Sequence, residues 1–177
     1  RVTLKAADFG HIFGSKTTSD GANLNVNGAN LVSVTDGNFV ASDNIDPNTF
    51  AVTAKTTDGA NVLYNTSVGN YRTVITPCDE LTNYDITYAD GVFEVRQKVI
   101  EAQWNEDTFV YDGTDAFGGY NGNFVWYVDI DGNKVGLTSV DVTKDGAACL
   151  FKDAGSYTFA VTGLSDTNYR LAVAGET

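Results

Sequence analysis

Nucleophilic catalysis by a serine or cysteine beside a base would have to use one residue here. The 177-residue chain has a single histidine, His11. It lies in Phe9-Gly10-His11-Ile12-Phe13, an apolar run that reads as an early strand, so a structural role is expected of it. A zinc site would need further nitrogen or sulfur ligands. Cys78 and Cys149 are 71 residues apart and fit no metal spacing. They read as two free, partly buried thiols. Paired carboxylates could serve glycoside hydrolysis. Seven aspartates, however, directly precede a glycine, where turn chemistry accounts for them, and Glu80, Glu94, Glu101 and Glu106 show no telling spacing. The expectation is no enzyme, no cofactor and no metal.

Two binding readings stand beside that expectation. Asp129, Asp131 and Asn133 form Asp-x-Asp-Gly-Asn, which hints at calcium. An EF-hand loop needs glycine at its sixth position and glutamate at its twelfth, and those positions hold Lys134 and Val140. A tight Asp-Gly hairpin turn is the leading reading, with calcium the weaker one. Gly118-Gly119-Tyr120-Asn121-Gly122-Asn123 is a glycine-rich loop with one aromatic. Tyr120, with Asn121 and Asn123, could stack on a sugar ring and bond its hydroxyls, a weak carbohydrate-binding candidate. Lys5, Lys55 and Lys98 fall on or near strands, as a Lys–Asn isopeptide cross-link would require, but no pairing can be read from order alone.

The elements that hold these residues are short strands. Charged residues are 19% of the chain, against a typical value of about 25%. Gly, Thr, Asn, Asp and Val are abundant, a mix that suits strands and turns over helices. Asp-Gly occurs seven times, at Asp20, Asp36, Asp58, Asp90, Asp112, Asp131 and Asp145, each a tight-turn signal. Between turns the polarity alternates. Phe124, Trp126, Val128 and Ile130 share one face of a strand, with Val125, Tyr127 and Asp129 on the other. Trp126 is expected in the core. Tyr157, Phe159 and Val161 likewise share a face. One helical turn is expected near Pro47 to Phe50.

The formal net charge of −12 opposes nucleic acid and anionic membrane as partners. No run of about 18 apolar residues is present to span a bilayer. The first residues, Arg1 to Ala6, already read as a strand, as expected of a fragment of a longer chain.

An internal repeat organises the rest. Gly69-Asn70-Tyr71-Arg72-Thr73-Val74-Ile75 matches Gly155-Ser156-Tyr157-Thr158-Phe159-Ala160-Val161 at an offset of 86, and Asn83-Tyr84-Asp85-Ile86 matches Asn168-Tyr169-Arg170-Leu171 at 85. Two copies of one module are expected, 1–97 and 98–177. The run Val92 to Ile100 is strand-like throughout, so the modules join without a flexible linker, which favours a stiff connection. After Tyr84 the first copy continues through Asp90-Gly91 into Val92 to Val95. The second reaches only Thr177, and its closing strand is expected to lack about four residues.

Asp153-Ala154-Gly155-Ser156-Tyr157 has the spacing of the tyrosine corner of immunoglobulin-type sandwiches, with Phe159 where antibody domains carry a cysteine and Trp126 placed 31 residues earlier than Tyr157. The expected fold is all-β, two tandem immunoglobulin-like β-sandwich modules, with β-grasp-like modules as the alternative. Tyr71, Trp126, Tyr157 and Phe159 are the structural residues. Thr108 to Thr114, Asp153 to Tyr157 and Asp166-Thr167-Asn168-Tyr169, with Val68 to Tyr71, Thr82 to Tyr88 and Gly91 to Val95 in the first copy, resemble the YDG/MBG-type repeat of large bacterial surface proteins. The resemblance implies a non-catalytic, extracellular, adhesin-like module, acting as a stalk, spacer or adhesive segment. Its partner would be a surface protein or glycan, and the fragment would be a monomer in solution.

Overall fold

The computed structural model describes residues 1–15, 31–104, 125–136, 139–149 and 153–173, with the backbone alone for residues 104, 125, 126, 136 and 139. The chain divides into two compact units, Arg1–Gln97 and Lys98–Thr177.

In the first unit Val2, Leu4 and Ala6 are buried and Lys5 is exposed, the period-two signature of a half-buried strand, β1 (Val2–Ala6). β1 pairs antiparallel with β3 (Val32–Gly37) and parallel with β6 (Ile86–Ala89). A second sheet has the order β2 (Phe9–Ile12), β7 (Gly91–Arg96), β5 (Gly69–Ile75), β4 (Val52–Lys55). β2 is parallel to β7, and the other pairs are antiparallel. Both sheets bury apolar side chains, Val2 and Leu4 from one and Val52, Ile75, Phe93 and Val95 from the other. Each contributes about 1.5–3 kcal/mol relative to exposure.

The two sheets share one ribbon. Val2 faces Ile86 and Lys5 faces Ala89 in the first sheet, and Phe9 faces Phe93 and Ile12 faces Arg96 in the second, all 84 residues apart. Chain 2–12 therefore runs beside chain 86–96 as one parallel pair that passes from sheet to sheet. At the crossing, Val92 N donates to Asp8 Oδ1 at 2.8 Å, and the buried Thr73 Oγ1 donates to the Ala7 carbonyl at 2.7 Å. Gly91 has no room for a side chain: a Cβ would lie 2.4 Å from Thr73 Oγ1 and 2.5 Å from the Ala6 carbonyl oxygen. Here Asp90-Gly91 is a sheet-to-sheet crossing, not the hairpin turn its composition suggests. Asp90 is held from across the second sheet by Arg72, at 2.8 Å.

The expected helical turn is a 3-10 turn, Pro47–Thr49, with Asp46 Oδ1 accepting from Asn48 N and proline at the start. Another such turn spans Ala41–Asp43. These three-residue turns are the helices among the described residues.

A single residue, Gln97, lies between β7 and β8 (Lys98–Ile100), which opens the second unit. β8 pairs parallel with β15 (Tyr169–Leu171). β10 (Val125–Val128) lies between β9 (Gln103–Trp104) and β11 (Lys134–Gly136), and β12 (Ser139–Lys144) lies between β13 (Ala147–Ala148) and β14 (Thr158–Gly163), all antiparallel. Gly132 (φ 84°) makes the β10–β11 turn. Asp145 and Gly146 (φ 53° and 81°) make the β12–β13 turn, both residues in the left-handed region that a type I′ turn demands.

Candidate functional site

The Asp-x-Asp-Gly-Asn segment is a closed turn. Asp129 Oδ1 accepts from Asp131 N at 2.9 Å and Asn133 N at 2.8 Å, while Oδ2 accepts from Asn133 Nδ2 at 3.2 Å. These bonds, above all that from the Asn133 backbone, hold the Asp129 carboxyl below its ordinary pKa. Both carboxylate oxygens are thus engaged within the turn. Among the described residues no group of three or more His, Cys, Asp or Glu side chains is placed to hold a metal ion.

Beside this turn stand two tyrosines. Tyr127 is 1% exposed and Tyr169 3%, their ring centroids 5.3 Å apart and tilted by 53°. The Tyr169 hydroxyl accepts from Ile130 N at 2.8 Å, pinning β15 to the end of β10. Burial first, with help from the carboxylates of Asp129 and Asp166, raises the pKa of both phenols. The Tyr127 hydroxyl is buried without a hydrogen-bond partner among the described residues. The Ser165 side chain works against that rise, although no hydrogen bond of good geometry joins it to the phenol. Along β10, Tyr127 thus faces inward, and Val128 of the opposite face is 40% exposed. The Trp126 side chain lies outside the described residues.

In the first unit a tyrosine also accepts a backbone N–H through its hydroxyl. Tyr84, the counterpart of Tyr169, accepts from Val40 N at 2.9 Å and donates to the Asp43 carboxylate. Its ring meets Phe39 edge-on at 5.0 Å. The earlier tyrosines match as well. Tyr71 Oη donates to the Ser67 carbonyl at 2.7 Å, and Tyr157 Oη donates to the Asp153 carbonyl at 2.7 Å. Gly69 and Gly155 precede them with φ of 158° and 159°. Lys144 Nζ lies 5.3 Å from the Tyr157 ring centroid, within cation–π range. Tyr157 and Phe159 are half-buried.

His11 is 8% exposed, stacks on Phe93 at 6.4 Å, and has no partner for Nε2 among the described residues. Burial lowers its pKa, and a hydrogen bond to the Tyr64 backbone works in the opposite sense. Cys78 and Cys149 are half-buried and unbridged. Lys55 Nζ donates to Asn61 Oδ1 at 2.6 Å in an exposed pair. Tyr120, Asn121 and Asn123 lie outside the described residues, as do residues 174–177, where the second copy's closing strand would begin.

The backbone bonds accepted by Tyr84 and Tyr169 are what sequence reading did not reach. Asn-Tyr recurs visibly, but the groups the phenols bind, Val40 N and Ile130 N, lie in dissimilar sequence. Neither a family model, a curated protein nor a solved structure matches the chain. Among the described residues no helix is long and apolar enough to cross a membrane.

Proposed function

We propose that the chain is two tandem copies of one non-catalytic, immunoglobulin-like β-sandwich module of the YDG/MBG type, serving as an extracellular spacer or adhesive segment of a bacterial surface protein. The observation that carries this reading is the pair of tyrosine contacts repeated in both units, Tyr71 with Tyr157 and Tyr84 with Tyr169. Copies of one module with the single residue Gln97 between β7 and β8 leave no separate linker segment in which to build a new site. The engaged carboxylate of Asp129 and the exposed Lys55–Asn61 pair are each accounted for by local structure.

The test places the chain between a cell-wall anchor and a terminal tag on a bacterial surface, with one, two or four units. Tag capture by a bulky bead should rise with unit number, and a glycan array probed with the isolated chain should show no saturable binding. Capture independent of unit number, or glycan binding abolished by Tyr120→Ala, would replace the spacer with the carbohydrate-binding reading.

A further inference from the structure

The ribbon shared by the two sheets of the first unit has a mechanical consequence. Chain 2–12 and chain 86–96 are adjacent and run the same way. The chain enters the ribbon at Val2, at one end, and leaves it after Arg96, at the other. Tension applied along the chain draws these two ends apart parallel to the strands. Such a load cannot open the ladder one bond at a time. It must slide the two strands past each other, so the hydrogen bonds between them carry the load together.

The ladder is interrupted only at the crossing between sheets. It begins with Val2 N donating to the Asp85 carbonyl at 2.8 Å and ends with Phe13 N donating to the Arg96 carbonyl at 2.9 Å. The crossing between sheets, where a parallel pair would ordinarily fall apart, is bridged by Asp8 Oδ1 and Val92 N and fastened to β5 by Thr73. Val2, Leu4, Phe93 and Val95 are buried along it. The second unit opens in the same way, with β8 parallel to β15, Lys98 N donating to the Asn168 carbonyl at 3.0 Å and Ala172 N to the Ile100 carbonyl at 3.1 Å.

We propose that the first unit is a force-bearing module in which the parallel ribbon of residues 2–12 and 86–96 acts as a shear clamp against tension along the chain. This deepens the spacer reading and rests on it: a spacer between a cell and whatever the cell holds is loaded along its length. Asp8 is the residue that keeps the clamp whole, because it spans the one point where main-chain pairing is interrupted. Resistance to force is governed by the unfolding rate, so the clamp shows in forced unfolding more than in equilibrium stability.

The experiment is single-molecule force spectroscopy on the full chain, with Cys78→Ser and Cys149→Ser to free the handle chemistry. In one geometry the chain is pulled from its two ends. In the other it is pulled from the N-terminus and a handle at Asn83→Cys, which draws Val2 and Ile86 apart sideways and peels the ladder bond by bond. The first unit, recognised by its contour length, should unfold at several-fold higher force in the first geometry. Asp8→Ala should lower that force, while Asp8→Asn, whose amide oxygen can still accept from Val92 N, should retain it. Equal forces in the two geometries overturn the clamp, and that comparison needs no change within the ribbon. Because it is made on the chain alone, direction-dependent force supports the clamp and equal force sinks it whatever the glycan array returns.

Discussion

Tyr169 takes in the second unit the place that Tyr84 takes in the first: each phenol oxygen accepts a backbone N–H, from Ile130 at 2.8 Å and from Val40 at 2.9 Å, while its ring packs on a second aromatic. The Tyr169 bond is largely shielded from water. Tyr169→Phe keeps the ring and leaves the Ile130 N–H without its acceptor, which should cost the second unit about 1–2 kcal/mol in a denaturant melt. Tyr84→Phe should destabilise the first unit in the same sense. A melt unchanged by Tyr169→Phe would mean that the shared geometry carries no energy.

Tyr127 makes the opposite case. Its ring is buried, but its hydroxyl has no hydrogen-bond partner among the described residues. Tyr127→Phe removes a buried polar group that gains little from its site, and should change stability by less than about 0.5 kcal/mol or raise it. Tyr127→Ala should cost about 3–5 kcal/mol, the range for a buried large aromatic. Unfolding followed by urea titration separates the two. A Tyr127→Phe loss as large as that of Tyr169→Phe would reveal a hidden partner for the hydroxyl.

These two tyrosines mark where sequence reading succeeds and where it stops. The repeat that pairs Tyr84 with Tyr169 is visible because glycine, tyrosine and Asn-Tyr recur at nearly constant offsets. The inward face of β10 is not. Phe124, Trp126 and Val128 are as apolar as Val125 and Tyr127, so a period of two exists without a phase. Asp90-Gly91 failed for another reason. Asp-Gly marks a glycine where the chain needs one, but the need here is close approach of Thr73 and two carbonyls, not a turn. The parallel pairing of residues 2–12 with 86–96 joins segments 84 residues apart and leaves no local signature at all.

Gly91 can be tested directly. A Cβ there would meet Thr73 Oγ1 at 2.4 Å and the carbonyl oxygens of Ala6 and Ala7 at 2.5 and 2.6 Å, and the two carbonyls cannot swing aside as a flexible side chain would. Gly91→Ala should cost the first unit about 1–3 kcal/mol through overpacking. Gly59, in the Asp58-Gly59 turn, has open space around it at φ 87°. Gly59→Ala meets the backbone preference alone, about 1–2 kcal/mol. Adding Thr73→Ser separates the two costs: with the methyl gone the hydroxyl can shift, so the second change should partly rescue Gly91→Ala and leave Gly59→Ala untouched. Equal response in both backgrounds would show that the Thr73 hydroxyl is not the source of the crowding.

His11 is the chain's one histidine, so a titration in the histidine range is assigned to it without ambiguity. Burial against Phe93 disfavours the imidazolium, and the bond to the Tyr64 backbone offsets part of that effect. The folded pKa is therefore below the ordinary value of 6.5, which is retained in the unfolded chain. Between the two values the unfolded state binds more protons than the folded state, so stability rises with pH there. The His11 contribution is fully present above 6.5, declines as pH falls from 6.5 through the lowered folded value, and levels off below it, where both states are charged. Denaturation midpoints of the first unit should thus fall between about pH 7.5 and about pH 5. In His11→Gln, which cannot titrate, that slope should vanish whatever the variant's absolute stability. Aspartates engaged in turns, such as Asp58 with its lowered pKa, titrate further down and do not enter this window. A slope of the same size in His11→Gln would show that burial of this imidazole costs nothing in its charged form.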